Sequence, residues 1–546
     1  MTPKNDLEEY FAPFRNATIG RRQCFESPFG RKEIIYADWT ASGRAYGPIE
    51  ECLQKKVMPF LANTHTEATI TGGLMSAAYE EAKNIIKRHV HAGDSDVLIF
   101  CGSGMTGAVN KLQRILGMRV PERLAEYMKK ATAGEGGLAT GGLLMGARGL
   151  LTGAGGTPTG MPEGLLPDEE LRPVVFVTEM EHHSNHISWL ETIATVEIIP
   201  CDDEGGPDLG CFRLLLERYK DRKNKIAAVT ACSNVTGIET PYYAIARMVH
   251  EYGGLCFVDF ACSAPYVDID MHPGGVGYQA DEAESLARGG THLDAIYFSP
   301  HKFLGGPGTP GVLIFNKKLY ANRIPDQPGG GTVVYTNPWK VQEYVADIAQ
   351  REDGGTPPFL QGIKAAMCIR LKEAMGIEFM RRREEEMLRI IIDRFARLKN
   401  VELLEDGVSD RLGIFSFVVV AAHHNLIVKL LNDRYGIQTR GGCSCAGTYG
   451  HRLLGVGEGA SYAILERIRL GDMLCKPGWI RLSVHPTMTD VEIGFIMDAI
   501  EAVAANVGEW GKDYMYDAGR DAFEFRGRVE RKERERVEGW FAAGAK

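Results

Sequence analysis

The sequence predicts an α/β fold, a large unit built on a mostly parallel seven-stranded sheet covered by helices, joined to a small α+β unit. Three observations predict it. Short apolar runs alternate with helical stretches between Asp38 and Asn316, the pattern of repeated strand–helix crossovers. From Thr356 onward the pattern changes to a long helical stretch over 362–398 and then strand, helix and strand over 413–420, 426–435 and 479–484. The chain has 546 residues, 44% of them hydrophobic, enough for two substantial cores.

The first strand-like run, 97–100, leads into Cys101-Gly102-Ser103-Gly104-Met105-Thr106-Gly107-Ala108-Val109-Asn110. This reads as strand, tight glycine turn and helix N-terminus, a cradle of free N–H groups for phosphate. The letters also spell G-x-G-x-x-G, the dinucleotide fingerprint, which expects a second strand ending in an acidic residue about twenty positions on. Residues 111–130 instead continue in a helical pattern and dissolve into glycine, so a lone phosphate suits the loop better.

A second run, 174–178, precedes Glu181-His182-His183-Ser184-Asn185-His186. His182 and His186 have the i, i+4 spacing of two metal ligands on one helical face. Glu181 stands before His182, outside the H-E-x-x-H order, and no third ligand lies near. A tight-turn role, or a ring stacked on a cofactor, is the competing reading. Runs at 196–199 and 226–230 follow, the latter leading to Ser233-Asn234, whose amide reads as a turn residue or a cofactor contact. The run at 255–259 ends in Asp259, either a cap for the next helix or a buried carboxylate paired with a protonated ring nitrogen.

The run 295–298 enters Ser299-Pro300-His301-Lys302 and a Gly/Pro-rich stretch, 305–311, before the last run at 312–315. A lysine at such a strand end is either a solvated surface group or an amine desolvated enough to lose its proton near neutral pH.

In this order the motifs resemble the class V aminotransferase family, pyridoxal-phosphate-dependent enzymes of fold type I, and within it the cysteine desulfurase and selenocysteine lyase branch. The resemblance runs from Tyr36-Ala37-Asp38-Trp39 to about Ala504, broken by one insertion. It implies that Lys302 is the Schiff-base lysine, His182 the ring stacked on pyridoxal 5'-phosphate, Asp259 the partner of its pyridine nitrogen and Asn234 a contact of its phenolic oxygen. Gly104, Met105, Thr106, Ser299 and His301 would hold the phosphate. Glu352-Asp353-Gly354-Gly355-Thr356-Pro357 resembles the stretch that crosses a dimer interface, with Thr356 serving the neighbouring site, so a homodimer is implied.

The branch rests on Gly436-Ile437-Gln438-Thr439-Arg440-Gly441-Gly442-Cys443-Ser444-Cys445-Ala446, similar to a mobile loop with an arginine five positions before its cysteine. Cys445 would take sulfur, or selenium, from L-cysteine or selenocysteine as an enzyme-bound persulfide. Alanine would be released and the sulfur passed to an acceptor protein or small thiol. Arg481, in Trp479-Ile480-Arg481-Leu482-Ser483, matches the arginine that grips the substrate carboxylate bidentately. Arg440 and Asn185 join it as substrate contacts. The chain departs from the pattern at Cys262, where glutamine is usual, at Met105, where threonine is common, and at Cys443 and Ser444, where histidines often precede the loop cysteine. Cofactor chemistry without a persulfide (C–S β-elimination, transamination or epimerisation) would keep Lys302 and dispense with Cys445. A non-enzymatic interaction protein would need neither.

The resulting organisation is an N-terminal segment, 1–35, packed on the small unit, and a large cofactor-binding unit, 36–345, carrying a Gly-rich insertion at 131–164. A small unit, 346–505, and a charged helical extension, 506–546, follow. Net charge is −9 with no long basic stripe, which argues against nucleic acid. The start carries no apolar signal core and no apolar run approaches membrane length. Twelve scattered cysteines fit reduced thiols. The expected location is cytoplasmic.

Overall fold

The computed structural model describes residues 6–64, 68–124, 126–127, 169–273, 290–527 and 533–542. The Gly-rich insertion expected at 131–164 lies outside them.

The seven apolar runs form one sheet: β1 (Asp96–Cys101), β2 (Val174–Thr178), β3 (Thr195–Ile199), β4 (Lys225–Thr230), β5 (Leu255–Asp259), β6 (Ala295–Phe298) and β7 (Gly311–Asn316). Their order is β1-β7-β6-β5-β4-β2-β3. From β3 through β2, β4 and β5 to β6 every pairing is parallel. β7 runs antiparallel to both β6 and β1. The reason is local: only the compact Ser299–Pro310 stretch separates β6 from β7, too short for the helical crossover a parallel neighbour needs. Because β1 and β6 both oppose β7, their carboxyl ends share the edge where those of β2, β4 and β5 also lie.

The strands are apolar on both faces because both faces are covered. Val174 and Phe176 belong to one apolar cluster, whereas Val175 and Val177 belong to another on the opposite face. Helix α1 (Ile70–His89) and helix α2 (Met105–Ile115) contribute to these layers, as does the short α3 (His183–Leu190). The Met105 end of α2 starts directly after β1, so its free N–H groups sit at the sheet's carboxyl edge.

The long helical stretch divides into α4 (Phe359–Met375) and α5 (Ile377–Phe395). They meet at Gly376, whose φ of 75° is left-handed and costs glycine nothing. Beyond them an antiparallel sheet joins β8 (Val401–Leu403), β9 (Ile414–Val419), β10 (Arg440–Gly442) and β11 (Trp479–Ser483) in the order β8-β9-β11-β10. α6 (Asp490–Trp510) opens on a reciprocal cap in which Thr489 and Glu492 bond each other's backbone. Phe415, Phe417, Ile480 and Leu482 share one apolar cluster with the large sheet's Ile296 and Phe298, so the two units pack through a common core.

The N-terminal residues make contacts with α5 and with the strand before β10. Tyr10 lies 5.0 Å from the Phe379 ring, Glu8 pairs with Arg383 at 3.4 Å, and Ile35–Tyr36 pairs in parallel with Ile437–Gln438. The C-terminal extension differs from the expected charged helix. After α6 comes a hairpin, Tyr514–Asp517 with Ala522–Phe525, before a helix at Glu533–Ala542. The alternating aromatics of these two strands favour a sheet, and Phe525 docks edge-on to Phe29 at 5.5 Å. Among the described residues no helix is long and apolar enough to cross a membrane.

Candidate functional site

At the carboxyl edge of the large sheet, under β10 and β11, is a cleft of about 350 Å³. Ligands gather at such edges because loops there are free of the hydrogen-bond ladder. Gly104, Met105 and Thr106 line it from the β1–α2 turn and His182 from the start of α3. Asn234 comes from the loop after β4, Asp259 from the end of β5, and Ser299, His301 and Lys302 from the turn after β6.

The β1–α2 turn is pinned rather than loose. Ser299 Oγ accepts the Met105 N–H at 2.8 Å, and His301 Nδ1 donates to the Ser103 carbonyl at 3.0 Å. A side chain at Gly104 would sit 3.0 Å from both Ser299 Oγ and His301 Cε1. Thr106 Oγ1 shares a 2.7 Å hydrogen bond with Ser184 Oγ. The result is a shallow bowl of backbone donors and hydroxyls at a helix N-terminus, the chemistry a phosphate selects.

Lys302 ends a single helical turn, Pro300–Lys302. Burial holds its ammonium below the ordinary lysine range, and Arg481 and Arg440 push the same way against Cys262 and Asp259. Asp259 is 2% exposed, and burial raises its carboxyl to about 6 despite the Ala261 N–H it accepts at 2.8 Å and the nearby Lys302 charge. His182 caps α3: its Nδ1 accepts the Ser184 N–H at 3.1 Å, which leaves the proton on Nε2. Burial, then Lys302, depress it to about 3, so the ring is neutral.

Arg440 and Arg481 face each other across β10 and β11 and both line the cleft. Arg481, 2% exposed, binds Asp38 at 2.7 Å and the Asn234 carbonyl at 3.2 Å. Its Nε and the Asn234 side-chain oxygen are buried with no hydrogen-bond partner. An unpaired buried donor and acceptor at one cleft wall is costly and marks where a ligand's own polar atoms are missing. Together with the Gly104 bowl and the Lys302–Asp259 pair, these groups fit a flat, phosphate-bearing, carbonyl-reactive cofactor.

Three expected residues stand elsewhere. Asn185 is fully buried. Its amide donates to Glu181 at 2.8 Å and to the Ala228 carbonyl at 3.1 Å, and its oxygen accepts from Trp189 at 3.3 Å and Tyr297 at 2.6 Å. Every polar atom is committed to the protein, so it braces the sheet instead of meeting substrate. Thr356 lies exposed on a loop and does not line this cleft. Cys445 is half-buried and does not line the cleft, whereas its neighbour Ser444 does.

The other histidines of the cluster also serve the loop. His183 N–H donates to the Cys445 carbonyl at 2.7 Å, His183 Nε2 accepts the Gly447 N–H at 2.8 Å, and His186 Nδ1 meets Thr448 Oγ1 at 3.1 Å. Asn234 donates to the Ser444 carbonyl at 2.8 Å and Trp479 to the Ser444 hydroxyl at 3.1 Å. The 443–448 loop is therefore docked onto α3 and β11. Cys262 occupies the usual glutamine position and donates its thiol to the Cys232 carbonyl at 2.9 Å. Sequence reasoning missed Thr40, Ala41, Cys232 and Ser444 as lining residues. Small side chains carry no signal of their own.

The aminotransferase class-V family profile matches residues 164–494. A probable cysteine desulfurase of Halalkalibacterium halodurans is 26% identical over 422 residues, covering 76% of this chain and 84% of that protein. A probable cysteine desulfurase of Staphylococcus epidermidis is 24% identical over 434 residues, covering 79% and 87%. Among solved structures, the cysteine desulfurase of Thermococcus onnurineus NA1 superposes with a TM-score of 0.63 at 20% identity, covering 87% of this chain and 95% of that one. The cysteine desulfurase CsdA of Escherichia coli gives 0.62 at 18% identity, covering 91% and 98%.

Proposed function

Since the chain belongs to the aminotransferase class-V family, whose members depend on pyridoxal phosphate, we propose that it binds this cofactor and acts as a cysteine desulfurase, converting L-cysteine or selenocysteine to alanine. The observation that carries the reading is the meeting of Lys302, Asp259 and Arg481 in one cleft beneath the loop that bears Cys445. The curated relatives named as probable cysteine desulfurases support the substrate class.

The residues would divide the work as follows. Gly104, Met105, Thr106, Ser299 and His301 would hold the phosphate, His182 would cover the ring face, Asn234 would meet the phenolic oxygen, and Lys302 would hold the cofactor covalently. When bound, the cofactor supplies an electron sink that acidifies the substrate's Cα–H. Once the substrate amine has displaced it from the cofactor, Lys302, its own proton loosened by burial, would take that proton. Asp259 keeps a negative charge at the closed end of the cleft. Arg481 holds the substrate carboxylate, and its grip on Asp38 fixes the plane of its fork. Arg440 adds a second positive charge on the same wall, and the Cys445 sulfur would take the substrate sulfur as a persulfide while the Cβ–S bond breaks and its electron pair passes to the carbon that leaves as alanine.

The exposed position of Thr356 suits service to a neighbouring copy's site, hence a homodimer. Twelve unpaired cysteines suit a reducing, cytoplasmic setting. A half-buried Cys445 leaves its sulfur within reach of an acceptor protein or small thiol.

One observation favours a second reading. Ser444, not Cys445, faces the cleft, as a C–S β-lyase, aminotransferase or epimerase without persulfide chemistry would allow. Incubating the holoenzyme with L-cysteine and reductant separates the two. Alanine and sulfide from the wild type, both lost in Cys445→Ala, support the desulfurase. Pyruvate, or turnover indifferent to Cys445, supports the lyase or aminotransferase.

A further inference from the structure

Beside the Tyr36–Trp39 segment, and sharing no lining residue with the catalytic cleft, a second cleft opens between the N-terminal helical segment and the start of α6. Arg15, Arg21 and Arg44 line it, and the one carboxylate among its lining residues is Glu492. That carboxylate is already engaged: it accepts the Thr489 N–H at 2.8 Å and the Thr489 hydroxyl at 3.1 Å. Arg21 reaches it only at 3.5 Å.

The other two arginines have only neutral oxygens as hydrogen-bond partners among the described residues, although the Glu8 and Glu9 carboxylates also act on Arg15 through space. Arg15, 8% exposed, donates to the carbonyls of Glu8 at 3.1 Å and Thr487 at 3.4 Å. Arg44 donates to the carbonyls of Ile19 and Gly20, each at 3.3 Å, and its guanidinium lies over the Tyr36 ring at 5.0 Å. Trp39 also lines the cleft. It is 4% exposed, and its indole N–H, which can only donate, is buried with no acceptor.

The cleft thus gathers three guanidiniums and an orphaned indole donor against one occupied carboxylate. Among the lining residues, hydrogen-bond donors outnumber acceptors and three positive charges face one negative, with Glu8 and Glu9 offsetting part of the charge on Arg15 from outside the cleft. A guanidinium fork matches an oxyanion's paired oxygens better than a single carbonyl, with shorter and stronger bonds. We propose that this cleft is a binding site for a small oxyanion, separate from the catalytic cleft. Its recognition chemistry is that of sulfate or phosphate, and of a carboxylate on a small metabolite.

The test uses the holoenzyme, so that the cofactor occupies its own phosphate bowl. Calorimetric titration with inorganic sulfate, and separately with acetate, is run at constant ionic strength set by chloride, on wild type, Arg44→Gln and Arg15→Gln. Saturable sulfate binding that weakens at least tenfold in both variants, with KM for L-cysteine unchanged, supports the site. Acetate binding lost in the same variants extends it to carboxylates, and acetate silence limits it to tetrahedral oxyanions. Arg44 is only half-buried, so Arg44→Gln remains readable if Arg15→Gln fails to fold. Binding that is absent, that survives both substitutions, or that L-cysteine competes away overturns the proposal, the last because it would place the anion on Arg481.

Discussion

Replacing Arg481 by lysine tests the proposed grip on the substrate while keeping the positive charge. In the structure one terminal nitrogen is spent on Asp38 at 2.7 Å and another on the Asn234 carbonyl at 3.2 Å, and Nε remains unpartnered. The fork can hold Asp38 and still offer donors to a carboxylate; an ammonium, a point charge on a flexible stem, cannot do both in one plane. The change removes one to two charge-assisted hydrogen bonds, worth about 1.5–3 kcal/mol each. One such bond corresponds to a fall of roughly 10- to 150-fold in kcat/KM. Steady-state alanine formation from L-cysteine should show most of this as a raised KM. Binding of cysteamine, which lacks the carboxylate, should change less than twofold. Equal losses for cysteine and cysteamine, or an unchanged KM with a collapsed kcat, would refute the assignment and make Arg481 a structural clamp for Asp38.

Other outcomes follow from the same geometry. Borohydride reduction of the holoenzyme should leave a mass adduct on the peptide containing Lys302, absent in Lys302→Ala, which should have no measurable turnover. Gly104→Ala should weaken cofactor retention by about tenfold, roughly 1.4 kcal/mol, because its methyl group crowds Ser299 Oγ and His301 at 3.0 Å; dialysis followed by absorbance reads this. Asp259→Asn should act in opposite directions on the two states of the protein. Burial lifts the Asp259 carboxyl from 3.8 to about 6, so the cofactor-free fold loses stability as pH rises from about 4 to 6, by up to about 3 kcal/mol. Cofactor-free Asp259→Asn should therefore be the more stable protein above pH 6 in urea melts and the weaker binder of cofactor. An unchanged melt, or unchanged affinity, would contradict a buried charge kept for the ligand.

The sheet was legible because each strand is a short, mostly apolar run with a turn at its end, and burial on both faces leaves that mark on the inner strands; the edge strand β3, with Glu197 and an exposed Ile198, carries it least. All seven lie within two residues of where the sequence places them. The groups that meet in the candidate cleft were legible only through their order along the chain: a glycine turn, a histidine, an aspartate and a lysine at successive strand ends each have other uses and point to one chemistry only together. What escaped was set by neighbours distant in sequence. Asn185 looks like a substrate contact beside His182, but Trp189, Tyr297 and Ala228 turn it inward. Ser444 became a lining residue only through Asn234 and Trp479, more than thirty positions away from it on either side. The hairpin after α6 was hidden by the charge of the residues around it.

The loop around Cys445 joins these points. Ser444 and Cys445 are consecutive non-glycine residues at φ of 48° and 59°, a left-handed conformation that costs about 1–2 kcal/mol per residue. A sequence free to choose would put glycine there, as Gly441 and Gly442 show it can nearby. The strain is held by fixed partners: Asn234 and Trp479 on Ser444, and His183 on the Cys445 carbonyl. Three hydrogen bonds at about 1 kcal/mol each are of the same size as the strain, so the docked loop lies close in energy to alternatives. In this arrangement Ser444 lines the cleft and Cys445 does not. The two activities proposed for this cleft therefore differ less in catalytic groups, which they share, than in whether a loop so nearly balanced brings Cys445 to the substrate sulfur.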